Sequence, residues 1–371
     1  MTLSTYRALG RPGLLVSPLA LGTMTFGTAR WGSDEATSRA VFDAYVEAGG
    51  NFLDTADIYS GGRSEEMLGV FVAERSLRHR LVIATKSGFS RERDTPLAGG
   101  NGARNIRWAL ESSLRRLRTD HVDLYWTHVW DRLTPPEETL RALTDAVRRG
   151  DILHYGFSNA PAWYVTRLAT LAEAHGLPAP IGLQYSYSLL DRGVELELVP
   201  AGQALGLGMV PWSPLGAGML TGKYGREMLT QAGPAGTLPD GTGADIAGGA
   251  GDGRLHGDNP FGGMLFTERN FAAVDALRDV AADAGWSMAQ TALAWVSQRP
   301  GVASVLVGAR RPQQLADNLA ATAVALGPDQ LRRLEEASAL PSLNPYFIFR
   351  LPRERLFGGS AVTPWETRPA P

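Results

Sequence analysis

The sequence predicts an α/β fold, a (β/α)8 TIM barrel with an N-terminal hairpin and extra C-terminal helices. Three observations predict it. Eight short apolar runs alternate with longer helix-period segments along most of the 371 residues. Successive runs are mostly spaced by about 30 residues, the length of a βαβ unit. No G-x-G-x-x-G follows the first run, which weighs against the main alternative, an open doubly wound sheet with an appended domain.

At the N-terminus, Tyr6–Leu9 and Leu14–Val16 flank the turn sequence Gly10-Arg11-Pro12-Gly13, so this segment reads as a hairpin able to plug the barrel floor. The barrel strands follow as Leu19–Gly22, Asn51–Leu53, Leu81–Thr85, Val122–Trp126, Ile152–Phe157, Ile181–Gln184, Gly208–Trp212 and Ala303–Val307. Helices are expected at Asp34–Ala48, capped by Ser33 or Asp34, and at Arg104–Leu117, where Ile106, Leu110, Leu114 and Leu117 form one stripe. Further helices are Pro135–Arg148, Pro161–Ala174 ending at Gly176, Glu268–Ala284, Ser287–Gln298, Pro312–Ala320 and Pro328–Ala339. The charge-free stretch Leu198–Gly222 is broken by three prolines and reads as a buried strand plus loops, not a membrane span. Residues 1–340 form the expected barrel domain. It is interrupted by a mobile Gly-rich loop over 225–265, densest at 233–263 with 11 glycines in 31 residues. The tail, 341–371, is Pro-rich but carries Tyr346, Phe347, Phe349, Leu356 and Phe357, which suggests that it docks.

Composition excludes several classes. With no cysteine there is no disulfide framework and no Cys-ligated metal. A net charge of −2 argues against a nucleic-acid surface. The opening MTLSTYRALGRPG has no apolar core of a signal peptide, so a cytoplasmic protein is expected, with no membrane partner and no metal. Of 36 basic residues only Lys86 and Lys223 are lysines, which makes those two positions chemically interesting.

In a barrel of this kind catalysis sits at the C-terminal ends of the strands. Those ends present Thr23 and Met24, Asp54 with Tyr59, Lys86, His128, Ser158 and Asn159, Gln184, Trp212 with Ser213, and Gly308 to Arg310. A phenol exchanges its proton with difficulty near neutrality unless a cation favours the phenolate. Lys86 can be that cation, Asp54 can hold the ammonium, and His128 can donate to a substrate oxygen, so that Tyr59 protonates an oxygen as it becomes negative. Each signal is weak singly; four such groups on three successive strand ends point to a site. After the last strand, Gly308-Ala309-Arg310-Arg311-Pro312 opens a helix, and a helix N-terminus flanked by arginines suits an anion such as a cofactor phosphate. Trp212 offers a flat face for stacking a ring.

These residues stand in stretches that resemble the aldo-keto reductase superfamily: LGTMTFG, NFLDTADIYSGGRSEEMLG, VIATKSG, VDLYWTHVWD, YGFSNAP, LQYSYSLLDR, VPWSPLGAGMLTGKY and VLVGARRPQQLADN. The resemblance covers about residues 5–340 and is nearest to the bacterial branch similar to potassium-channel β-subunit-type members. It implies a tetrad of Asp54, Tyr59, Lys86 and His128, with Tyr59 as general acid. It implies a nicotinamide held by Ser158, Asn159 and Gln184 and stacked on Trp212, with Thr23, Met24 and Asp54 beside it. The pyrophosphate loop would be Ser213, Pro214, Leu215, Gly218 and Lys223, and the adenosine end Gly308, Ala309, Arg310, Gln314 and Asn318. Arg310 meeting a 2′-phosphate favours NADPH over NADH. A small-molecule carbonyl substrate would meet Met24, Phe26, Trp31, Phe89 and Trp130. Alternatives are a biosynthetic reductase of a keto-sugar nucleotide or other secondary-metabolite intermediate, and a nicotinamide-sensing regulatory subunit; homo-oligomerisation is left open.

Overall fold

The computed structural model describes residues 3–28, 32–231, 255 and 265–363. The glycine-rich segment thus lies almost wholly outside the described residues, as does Trp31.

A two-stranded antiparallel hairpin, β1 (Arg7–Ala8) and β2 (Leu15–Val16), precedes eight parallel strands. These are β3 (Leu19–Gly22), β4 (Phe52–Asp54), β5 (Val82–Ser87), β6 (Val122–Thr127), β7 (Ile152–Ser158), β8 (Gly182–Gln184), β9 (Gly208–Met209) and β10 (Val305–Val307). They run in the order β10-β3-β4-β5-β6-β7-β8-β9. The sheet closes on itself through Ala303 N to Met209 O at 2.9 Å and Leu306 N to Pro211 O at 2.9 Å. The fold is the expected (β/α)8 barrel.

Helices α1 (Glu35–Glu47), α2 (Arg63–Glu74), α3 (Ala103–Leu117), α4 (Pro136–Arg149), α5 (Ala162–Ala174), α6 (Leu198–Leu205), α7 (Glu268–Ala284), α8 (Met288–Ser297), α9 (Pro312–Ala320) and α10 (Pro328–Ala337) accompany the strands. Asp34 caps α1 by accepting from Thr37 N at 2.8 Å, and Ser287 and Gln290 form a capping box on α8. Two helices go beyond the sequence expectation. Segment 63–74 buries Met67, Leu68, Phe71 and Val72 on one face as α2. Segment 198–205, expected as loop ahead of the Gly208–Trp212 strand, is instead α6; Pro200 sits in its first turn, where a missing N–H costs nothing.

Two-residue alternation sorts the strand residues into two cores. Ala20, Phe52, Val82, Ala84, Leu124 and Trp126 point inward, while Leu21, Leu53, Ile83 and Tyr125 pack under the helices. Leu9 and Val16 of the hairpin join the inner set, so the hairpin does plug the barrel's N-terminal end. Gly10, at φ +73°, is required there, because a Cβ would lie 2.4 Å from Ile181 O.

The described residues from 339 to 363 form a second compact unit, with α11 (Tyr346–Phe349) and α12 (Arg353–Leu356). Tyr346 packs edge-on to Phe349, while Phe347, Phe349, Leu356 and Phe357 are exposed. No described helix is long and apolar enough to cross a membrane.

Candidate active site

The same alternation that fills the barrel places Asp54, Lys86 and Trp126 on its inner face, one layer above Phe52, Ala84 and Leu124. There Lys86 Nζ donates to Asp54 Oδ1, to Thr55 O at 2.7 Å and to Tyr59 Oη at 3.1 Å. Lys86 and Asp54 are buried. Burial opposes the charge on Lys86, but Asp54 and Tyr59 outweigh it and hold the amine above its usual range, as ammonium. Because Tyr59 Oη accepts from Lys86, its own proton is not spent on that bond. The turn carrying Tyr59 bends through left-handed residues Ser60 and Gly61 before α2 begins.

The ring of His128 stands edge-on to Tyr59 with centroids 5.9 Å apart, and Phe89 stands edge-on to it at 4.8 Å. Burial, then Lys86, push the imidazole well below its ordinary range, so it is neutral at physiological pH. Its Nδ1 is buried and has no hydrogen-bond partner among the described residues. The four groups anticipated at the strand ends are therefore together.

The second carboxylate oxygen of Asp54 accepts from Trp126 Nε1 at 3.1 Å and from Gln184 Nε2 at 2.8 Å. Gln184 thus spends its amide nitrogen on the carboxylate. Trp126 was not among the expected site residues, yet its inward register and the facing glycines are both readable. Trp126 pairs in register with Gly156, and Gly156 with Gly182. A Cβ on Gly156 or Gly182 would lie 2.4 or 2.9 Å from the indole.

Beside this centre Asn159, at φ +49°, donates to His128 O at 2.9 Å and to Ser158 Oγ at 3.0 Å, and accepts from Trp212 Nε1 at 3.3 Å. The segment from Ser213 follows with left-handed backbone at Ser213, Gly216, Ala217 and Gly218. Pro214 is buried and Leu215 packs on the core. Lys223 lies against Gly218, where a Cβ would come 2.8 Å from Nζ. At the last strand, Gly308 is exposed, Arg310 N donates to Gln314 Oε1 at 2.9 Å, and Asn318 donates to Gly308 O at 3.4 Å. Ala309 is buried, its carbonyl accepting from Thr25 Oγ1 at 3.3 Å.

Two expected contacts sit elsewhere. Thr23 is buried, its hydroxyl bonded to Asp54 O and accepting from Ser64, so it braces the strand end instead of offering a free hydroxyl. Phe26 is fully buried against Phe71, a core position under the helices instead of the barrel mouth. Met24 is half-buried, and Trp130 packs edge-on to Trp163 at 5.6 Å.

The aldo/keto reductase family model matches residues 18–339. The chain is 33% identical over 340 residues to an uncharacterized oxidoreductase of Bacillus subtilis (strain 168), covering 89% of this chain and 95% of the relative. It is 29% identical over 367 residues to norsolorinic acid reductase A of Aspergillus parasiticus, covering 95% of this chain and 86% of that one. It is 33% identical over 337 residues to a probable voltage-gated potassium channel subunit beta of Oryza sativa subsp. japonica, covering 89% and 95%. The chain belongs to the aldo/keto reductase family.

Proposed function

We propose that the protein is an NADPH-dependent reductase that converts an aldehyde or ketone to an alcohol. The observation that carries this reading is the Asp54–Lys86–Tyr59 chain ending on a phenol whose proton is not spent on Lys86, with neutral His128 beside it. When bound, the nicotinamide would supply the hydride.

The residues present fit such a group. Asn159, Ser158 and Trp212 form one hydrogen-bonded cluster joined to His128, and the left-handed backbone between Ser213 and Gly218 is of the kind that forms anion-binding concavities. The start of α9, with exposed Gly308 and with Arg310 before it, suits a phosphate, and a guanidinium there favours the 2′-phosphate of NADPH. Gln184 and Asn159 would hold the carboxamide end, Lys223 the pyrophosphate, and Gln314 and Asn318 the adenosine end.

His128 would donate to the carbonyl oxygen and orient it toward Tyr59. As negative charge develops on that oxygen, Tyr59 Oη would release its proton to it, and the Lys86 ammonium would compensate the phenolate left behind. Asp54 keeps Lys86 in reach and charged. The Trp126 and Gln184 donors occupy its other oxygen, so the carboxylate cannot rotate away. Similarity to a relative named as a norsolorinic acid reductase supports a reductase, and Phe89 edge-on to His128 supports an apolar or ring-bearing substrate. A regulatory reading, supported by the relative named as a channel subunit, is the alternative.

The test is a carbonyl panel read by NADPH absorbance, run in parallel with NADH, on the protein and on Tyr59→Phe. The expected result is faster turnover with NADPH. The variant should lose about 10²- to 10⁴-fold in kcat, the usual range for a general acid, while NADPH Kd stays unchanged. Full activity in Tyr59→Phe would refute the mechanism; a protein that binds NADPH but turns over no carbonyl would favour the regulatory reading.

A further inference from the structure

One buried ion pair close to the site takes no part in the chemistry above. Asp57 lies between Asp54 and Tyr59, its side chain fully sealed, and Arg91 Nη1 donates to its Oδ2. Arg91 belongs to the segment between β5 and α3, which also carries Phe89. The guanidinium makes two more contacts. Nη2 donates to Asn105 Oδ1 at 2.9 Å, and its carbon lies 4.1 Å from the ring centre of Trp108, both on α3. Asn105 in turn donates to Gly100 O at 2.7 Å, and Gly100 N to Gly88 O at 2.7 Å, so the loop is folded back on itself around Arg91.

The pair is poorly built for stability. Asp57 Oδ1 and Arg91 Nε are both buried and have no hydrogen-bond partner among the described residues. Burial, against the pull of Arg91 and with a push from Glu65 that Arg116 counters, drives the Asp57 carboxyl up to about 7. Half-satisfied buried pairs of this kind are often matched or bettered in stability by apolar residues of similar volume. A feature that stability does not explain, joining the Tyr59 turn to the Phe89 loop, calls for another account.

We propose that Asp57 and Arg91 are positioning residues: their ion pair docks the 88–102 loop on the Tyr59 turn, holds Phe89 edge-on to His128, and so sets the affinity for the carbonyl substrate. The inference rests on the reductase reading for the substrate itself, though the docking claim stands apart from it. Neither residue touches the reacting atoms. Loss of the pair therefore frees one wall of the carbonyl site and leaves the Lys86–Tyr59 bond and the Asn159 cluster in place.

The experiment compares Arg91→Met, Arg91→Lys and the double variant Asp57→Leu/Arg91→Met. It measures KM and kcat for the best carbonyl, NADPH Kd, thermal midpoint, and hydrogen exchange across residues 88–102. The expected result for Arg91→Met and the double variant is at least a tenfold rise in KM and at least tenfold faster exchange in the loop, with kcat and NADPH Kd within threefold. The double variant should keep or exceed the wild-type midpoint. Arg91→Lys should recover only part of the loss, because an ammonium cannot serve Asp57 and Asn105 together while lying flat on Trp108. Unchanged exchange in the loop would overturn the proposal. So would a fall of midpoint, kcat and cofactor affinity together, which marks a merely structural pair. Exchange is read without substrate, so a protein inactive on every carbonyl would sink the reductase reading while the docking claim is still decided.

Discussion

At the scale of single residues, the decisive fact is that Lys86 is both buried and charged, which only three oxygens around its Nζ make tolerable. A chain that uses arginine for its cations at all but two positions keeps lysine here. A compact ammonium fits between a carboxylate and a phenol, and a planar guanidinium does not. His128 is the complementary case, a base kept neutral by burial and by that ammonium. Its folded pKa lies well below the unfolded value of about 6.5. The unfolded chain therefore takes up a proton below pH 6.5 that the folded one refuses. The stability tied to His128 is complete above that pH and is lost as pH falls below it. We expect urea unfolding from pH 6.5 downward to show this loss, about 1.4 kcal/mol per pH unit while His128 stays neutral in the fold. His128→Asn should remove that share of the slope; an unaltered slope would mean the imidazole is protonated in the native protein. The placement of Asp54, Tyr59, Lys86 and His128 together was legible because each follows an apolar run. The role of Gln184 against Asp54 was not, since a hydrogen bond across 130 residues leaves no local pattern.

At the scale of elements, strand register decides who may be large. Trp126 on β6 occupies room that Gly156 and Gly182 vacate on the next two strands, β7 and β8, and Gly208 on β9 vacates room for Leu9. Gly156→Ala should be destabilised by at least about 1–3 kcal/mol, the usual cost of overpacking. Its Cβ would meet backbone at Gly182 O, 2.5 Å away, as well as the indole. Urea midpoints check this, and an unmoved midpoint would show that the layer can relax. The elements themselves were largely readable from periodicity, with two instructive exceptions. In α2 the apolar stripe of Met67, Leu68 and Phe71 is present, but the glycines and serines of the preceding turn mask its start. In α6 a proline and the glycines around it read as loop, and packing against α5 and β9 decides for helix.

At the scale of the whole molecule, the hairpin turns an open cylinder into one closed at its N-terminal end. Leu9 and Val16 complete the inner core that Phe52, Leu124 and Trp126 build from the strands. Leu9→Ala should cost about 2–5 kcal/mol, as other buried leucine truncations do. NADPH Kd should not change, because the strand ends that carry the tetrad are at the opposite side. A matched loss of cofactor affinity in titrations would mean that the plug also shapes the mouth. The plug also has a history in time. Arg7 reaches the carbonyl of Ser297, 290 residues further along the chain. At about 5–20 residues per second on the ribosome, that partner is made roughly 15–60 seconds later. The hairpin is thus obliged to wait for the last quarter of the barrel. Through that interval its two apolar side chains have no finished core to enter, and they are exposed to whatever else in the cell takes up nascent hydrophobic segments.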